Sequence, residues 1–164
     1  MLMPDFAVSW SGTRLIWTRM MAMASTGVLV ADECRNAYNS LKLSKALRYI
    51  VFKVSDDYKE VVVESTGDRS ATYEDFLSAL TPRDARYAVV DFEFETAEGR
   101  RNKILFIAYI TDSVSQRKRM VYASSKDALK VALTGISLEI QATEKDELEY
   151  DLVLAKVSKG LAIR

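Results

Sequence analysis

The chemistry open to this chain is narrowed first by a side chain it lacks: there is no histidine. That removes the commonest general acid–base group, the commonest metal ligand, every Ser-His or Cys-His nucleophile pair and any imidazole pH switch. Carboxylates, lysines and tyrosines remain. Asp56-Asp57, the Asp91/Glu93/Glu95 series and the Glu144/Asp146/Glu147/Glu149 group could imitate a paired-carboxylate or cation site. Their contexts are a turn, the polar side of a strand and a helix start, where acids are solvated or suit the helix dipole. The sequence has no glycine-rich phosphate loop, no Cys/His metal spacing and no Gly-x-Ser-x-Gly turn. Cys34 is the single cysteine, which excludes an intramolecular disulfide and agrees with a reducing compartment. The expectation is a non-enzyme that needs neither metal nor cofactor.

What stands out is basic. Arg117, Lys118, Arg119, Lys126 and Lys130 crowd one segment, with Asp127 the only acid among them. On a helix, residues 119, 126 and 130 lie near one another, because seven and eleven residues are close to whole turns. Met120 and the segment Tyr122-Ala123-Ser124-Ser125 adjoin that face. An adaptable thioether beside Arg and Lys suits a protein-binding helix with an apolar centre and a charged edge. The plain alternative is an ordinary solvated helix face.

A chain of 164 residues, 49% hydrophobic and 28% charged, is the size and composition of one globular domain with a real core. Lys plus Arg and Asp plus Glu both total 23, so no global field draws in nucleic acid or membrane. Residues 1–22 stand apart: they hold Trp10 and Trp17, are interrupted by Arg14 and Arg19, and contain no apolar run long enough to span a bilayer. They read as a leader ahead of a single domain over 23–164, with a weaker likeness to an Arg-containing, acid-poor transit peptide.

After Met23 the pattern becomes regular. Asp32 is placed to cap a helix carrying Cys34, Ala37, Tyr38 and Leu41. Tyr49–Val54 and Glu60–Glu64 read as strands joined tightly through Asp56-Asp57, hence antiparallel. Thr72 caps a short helix with Tyr73, Phe76, Leu77 and Leu80, which Pro82 stops. Tyr87–Glu95 and Ile104–Ile110 are strands, the second apolar throughout and so covered on both faces, with Glu98–Asn102 as a polar hairpin loop between them. A helix over about 115–134, with Val121, Ala128, Leu129 and Ala132 on one side, ends at Gly135. Ile136–Ile140 alternates as a last strand, and a terminal helix presents Tyr150, Val153, Leu154, Val157 and Leu161. Strand, long helix and strand make a crossover, which favours parallel pairing. The expected fold class is α/β: a mixed, mainly antiparallel sheet of about five strands with helices on both faces.

The run Arg119-Met120-Val121-Tyr122-Ala123-Ser124-Ser125-Lys126-Asp127-Ala128-Leu129-Lys130 resembles the long actin-binding helix of the ADF/cofilin family almost residue for residue. The similarity continues in order through Gly27-Val28, Val30-Ala31-Asp32-Glu33, Leu41-Lys42-Leu43, Tyr49-Ile50-Val51-Phe52, Asp91-Phe92-Glu93-Phe94 and Ala132-Leu133-Thr134-Gly135. It therefore covers almost everything after residue 23. The resemblance implies an ADF-homology fold and a protein that binds actin monomers and severs and depolymerises filaments. By position, it implies a monomer-binding surface of Ser25, Thr26, Gly27, Val28, Arg117, Arg119, Met120, Lys126 and Lys130. A filament-binding surface would use Arg101, Lys103, Lys156 and Lys159.

Ser25 matches the family's regulatory phosphorylation site, where a phosphate would add roughly −1.5 to −2 charges beside the basic helix. Further implied are phosphoinositides as membrane-surface ligands, no nucleic-acid partner, a monomeric state, and residence in the cytoplasm on the actin cytoskeleton with the nucleus as a second compartment. This sequence departs from the pattern at Val131, where a second basic residue is common, at Ala155, where an acid is common, and at Tyr109, often tryptophan. Val131 and Ala155 support an alternative: a phosphoinositide-responsive module of the same fold with weak actin activity. A carboxylate-dependent hydrolase is disfavoured by the missing motifs. Of related modules, twinfilin is disfavoured by the single-domain length, and the basic helix suits cofilin better than coactosin.

Overall fold

The long strands of this chain carry apolar side chains in both alternating positions, so the sheet they form must be covered twice. The computed structural model describes residues 27–159. The proposed leader over 1–22, together with Ser25, Thr26 and Leu161, lies outside the described residues. The elements in chain order are β1 (Leu29–Val30), α1 (Asp32–Lys42), β2 (Leu47–Val54), β3 (Glu60–Asp68), α2 (Tyr73–Ala79), β4 (Ala85–Thr96), β5 (Gly99–Ile110), α3 (Gln116–Ala132), β6 (Leu138–Ala142), a 3₁₀ turn (Lys145–Leu148) and α4 (Tyr150–Val157).

The strands form one mixed sheet in the order β1-β3-β2-β4-β5-β6. β2 pairs antiparallel with β3 and β4, and β4 pairs antiparallel with β5. β6 lies parallel to β5 after the α3 crossover, as the strand–helix–strand order requires. The fold class expected from the sequence holds. The added strand is β1, a two-residue parallel edge on β3 that is too short to leave a periodic signal.

The two core layers follow the pleat. Ile50, Phe52, Val54, Tyr87, Val89 and Phe106 face α1 and α3, which contribute Cys34, Tyr38, Leu41, Tyr122, Leu129 and Leu133. Tyr49, Val51, Val90, Phe92, Leu105 and Ile107 face α2 and α4, which contribute Phe76, Leu80, Val153 and Val157. Each wholly buried large side chain stabilises by about 2–3 kcal/mol, so packing outweighs any single hydrogen bond.

Local chemistry fixes the element ends. Thr72 and Asp75 make a reciprocal capping box at α2. At α1 the cap is Ala31, not Asp32, which falls inside the first turn with Glu33. The Glu33 carboxylate accepts the Val63 N–H at 3.0 Å, tying α1 to β3. The stretch 98–102 is not a loop: Thr96 pairs with Gly99 across the residues 97–98 alone, and Arg100 to Lys103 ride on β5. Gly99, the residue directly after that turn, takes a positive φ of 127° that side-chain-bearing residues rarely adopt. Gly67 sits opposite Tyr49, and a Cβ there would lie 2.1 Å from its ring, so only glycine lets the aromatic lie across β3.

Candidate functional site

α3 starts where the Ser115 hydroxyl accepts the Lys118 N–H at 3.2 Å, satisfying one of the unpaired donors of the first turn. Its underside is Tyr122, Ser125, Leu129 and Leu133, all buried. Tyr122 locks the helix to the sheet twice: its hydroxyl accepts the Val54 N–H at 2.9 Å, and its carbonyl accepts the Tyr87 hydroxyl. Tyr122 and Ser125 thus belong to the core and not to the binding face. Their burial leaves Gln116, Arg117, Met120, Val121 and Ser124 to line a shallow, mainly apolar depression on the outer side.

The basic cluster is divided by the turn of the helix. Lys118 points inward to Asp84 at 2.5 Å, and Asp84 also meets Arg86 at 2.9 Å, so this lysine anchors α3 to β4. Arg86 in turn holds Glu64 through two hydrogen bonds, at 2.7 and 3.0 Å. Arg117 lies with its guanidinium carbon 5.0 Å from the centre of the Tyr58 ring. On the other side Arg119 donates to the Asp112 carbonyl at 2.9 Å. Lys126 and Lys130 both reach Glu139 on β6, Lys126 at 2.8 Å. Between these flanks Met120 stands 64% exposed, and Val131, three turns further along the same ridge, is 78% exposed.

Of the other residues expected at this surface, Gly27 is exposed with a φ of 73°, while Val28 is packed into the core and serves as an anchor for its segment. The second expected surface is brought together by one contact. Lys103 donates to the Val157 carbonyl at 3.0 Å, which caps the last turn of α4 and sets the hairpin beside Lys156 and Lys159, both exposed. Arg101 is paired with Glu98 at 2.6 Å. Arg100, Arg101, Asn102 and Lys103 line a polar depression beside them.

Asp57 and Glu147 do the structural work their contexts in the sequence suggested, and Asp91 departs from it. Asp57 closes the β2–β3 turn by accepting from the Ser55 hydroxyl and the Lys59 N–H. Glu147 is tied to the Thr143 hydroxyl and two backbone N–H groups. Asp91 is not on a solvated face: its side chain is fully buried, held by Arg69 at 2.5 Å, Asn102 at 2.8 Å and Lys45 at 3.5 Å. Burial pushes its pKa up, but these donors win and hold it below the usual carboxylate range. Cys34 is buried with its thiol donating to the Val61 carbonyl, and burial pushes its pKa up to about 12, so it is no nucleophile at neutral pH. Among the described residues no His/Cys/Asp/Glu group is arranged to hold a metal ion, and no helix is long and apolar enough to cross a membrane.

The residue that sequence reasoning missed is Glu139. Its signal was the alternation of β6: Leu138, Ile140 and Ala142 enter the α2/α4 layer, which turns Glu139 toward α3 and its lysines.

An exposed thioether thus stands among cations on a helix that the core holds rigid. A family model for cofilin/tropomyosin-type actin-binding proteins matches residues 27–158. The chain is 46% identical over 153 residues to a cofilin of Gibberella zeae, covering 85% of this chain and 99% of that protein. It is 49% identical over 131 residues to an actophorin of Entamoeba histolytica, covering 80% of this chain and 95% of the relative. The crystal structure of Streptomyces griseoflavus cofilin superposes with a TM-score of 0.76 at 43% identity, covering 81% of this chain and 98% of that one. The chain belongs to the cofilin/ADF family of actin-binding proteins.

Proposed function

We infer that this protein binds actin and depolymerises its filaments, acting by binding energy and not by turnover. The observation that carries this is the family match over 27–158, which spans every helix and strand of the described domain including α3 and its exposed ridge. Met120 supplies the desolvated contact at the centre, and Arg117, Arg119, Lys126 and Lys130 orient an acidic partner around it. Gly27 and its neighbours Ser25 and Thr26 extend this surface from the N-terminal side. The hairpin and α4, through Arg101, Lys103, Lys156 and Lys159, meet the adjoining subunit of a filament. A domain that binds best to a differently twisted filament places strain at the edge of each decorated stretch, which is a route to severing without catalysis. Such a protein works on the actin cytoskeleton.

Pyrene-actin disassembly combined with microscopy of single filaments tests this. The protein should accelerate filament loss, and Met120→Ala should weaken monomer affinity by about tenfold while leaving stability unchanged, since that side chain lies outside the core. Binding to phosphoinositide liposomes without any effect on actin would favour the membrane-module alternative. Indifference of both monomers and filaments to the folded protein would end the actin assignment.

A further inference from the structure

Two lysines assigned above to actin docking are already engaged within the molecule, and by the same acid. Lys126 and Lys130 lie one helical turn apart on α3, and Glu139 on β6 gives one carboxylate oxygen to each. None of the three side chains is freely solvated: 20% of Lys126, 34% of Lys130 and 22% of Glu139 is exposed. Gln141 adds a hydrogen bond to Glu139 at 3.3 Å. We propose that Glu139 is a positioning residue for actin docking, a single carboxylate that fixes Lys126 and Lys130 side by side as a pre-oriented pair. This rests on the actin-docking role of α3 proposed above.

The physical case is one of order against charge. An ammonium has three donors, so a lysine held by Glu139 keeps protons to offer outward. A free lysine must surrender its rotamer freedom when it docks, whereas these two have lost it before the partner arrives. Glu139 is not a competitor that lets go. Burial raises its pKa, yet hydrogen bonds from Lys126 and Lys130 overcome this and hold it at about 2, so it stays ionised and gripped at any physiological pH. A count of charge alone says that deleting an acid from a cationic ridge tightens binding to an acidic partner. Pre-orientation says the reverse.

Glu139→Gln keeps the shape but leaves one acceptor and turns an amide donor toward the second ammonium. Glu139→Asp keeps the charge but shortens the arm so that it cannot serve both. The experiment is the kinetics of actin-monomer binding for wild type, both variants, Lys126→Met/Lys130→Met, and the lysine pair combined with Glu139→Gln. Melting curves restrict the comparison to folded protein. Both Glu139 variants should dissociate about tenfold faster, with the association rate of Glu139→Gln unchanged or slightly higher. In the background lacking both lysines, Glu139→Gln should change nothing, which a general structural role could not reproduce. Tighter binding by Glu139→Gln, an unchanged Glu139→Asp, or a loss that persists without the lysines would each overturn the proposal. Failure of the wild type to bind actin would instead sink the functional reading beneath it.

Discussion

Asp91 shows how one residue can look functional and be structural. It is a fully buried carboxylate in a strand, and such a group survives only if its partners restore what water gave it. Arg69, Asn102 and Lys45 do so, and the Arg69 guanidinium also reaches the Leu47 carbonyl at 2.9 Å, joining the start of β2 to the middle of β4. Because the native pKa lies below the ordinary carboxylate value, the associated stability is fully present above that value and is lost as pH falls through the lower one. Asp91→Asn should therefore cost about 2–4 kcal/mol at neutral pH, with the deficit shrinking as the medium is acidified. Both cations are partly exposed, which keeps the expected cost below that of a sealed pair. Urea denaturation at neutral and acid pH checks this, and a deficit that did not shrink in acid would assign the effect to packing instead. Monomer affinity should be unchanged, since the partners of Asp91 are Arg69, Asn102 and Lys45 and none of them lies on α3.

At the scale of elements, the helix that presents the site is held by its tyrosine more than by its charges. The Tyr122 hydroxyl answers the Val54 N–H, a β2 donor that would otherwise be buried without a partner. Tyr122→Phe keeps the ring packing against Tyr87, whose centroid lies 5.0 Å away, but orphans that donor. It should cost about 1–3 kcal/mol in denaturant unfolding, and a change smaller than the error would mean that water replaces the hydroxyl. This lock was hidden in the sequence, where Tyr122 stands two residues from Met120 and reads as adjoining the basic face. The elements themselves were open to reading: the unbroken apolar run of β5 declared a strand covered on both sides, and the length of α3 forced β6 to lie parallel. The polar residues Arg100 to Asn102 hid the first part of β5, because strand propensity gives way when a two-residue turn fixes the register. Pairings across long separations, such as Lys118 with Asp84 or Glu139 with two lysines, leave no periodic trace. Only the fold decides which cation meets which acid.

At the scale of the molecule, zero net charge over 23 cations and 23 anions means that any attraction to actin is local. Cations gather at α3 and again where the β4–β5 hairpin meets the end of α4, two places that belong to different layers of the domain. A domain with separate docking surfaces can hold a monomer through one and recognise a filament only through both, so the two activities should be separable by mutation. Lys103 is a poor choice for that test because it also caps α4, and its loss would loosen the surface it belongs to. Lys156 and Lys159 are exposed and clear of the core, so Lys156→Ala/Lys159→Ala should leave stability within about 0.5 kcal/mol of wild type. Filament cosedimentation should weaken by about tenfold, more at low salt than at high, because rim charges act mainly through steering. Monomer affinity, measured on the same preparations, should stay unchanged. Equal losses in both assays would show that the molecule has one continuous actin surface, and the strain account of severing would then lose its second foothold on the filament.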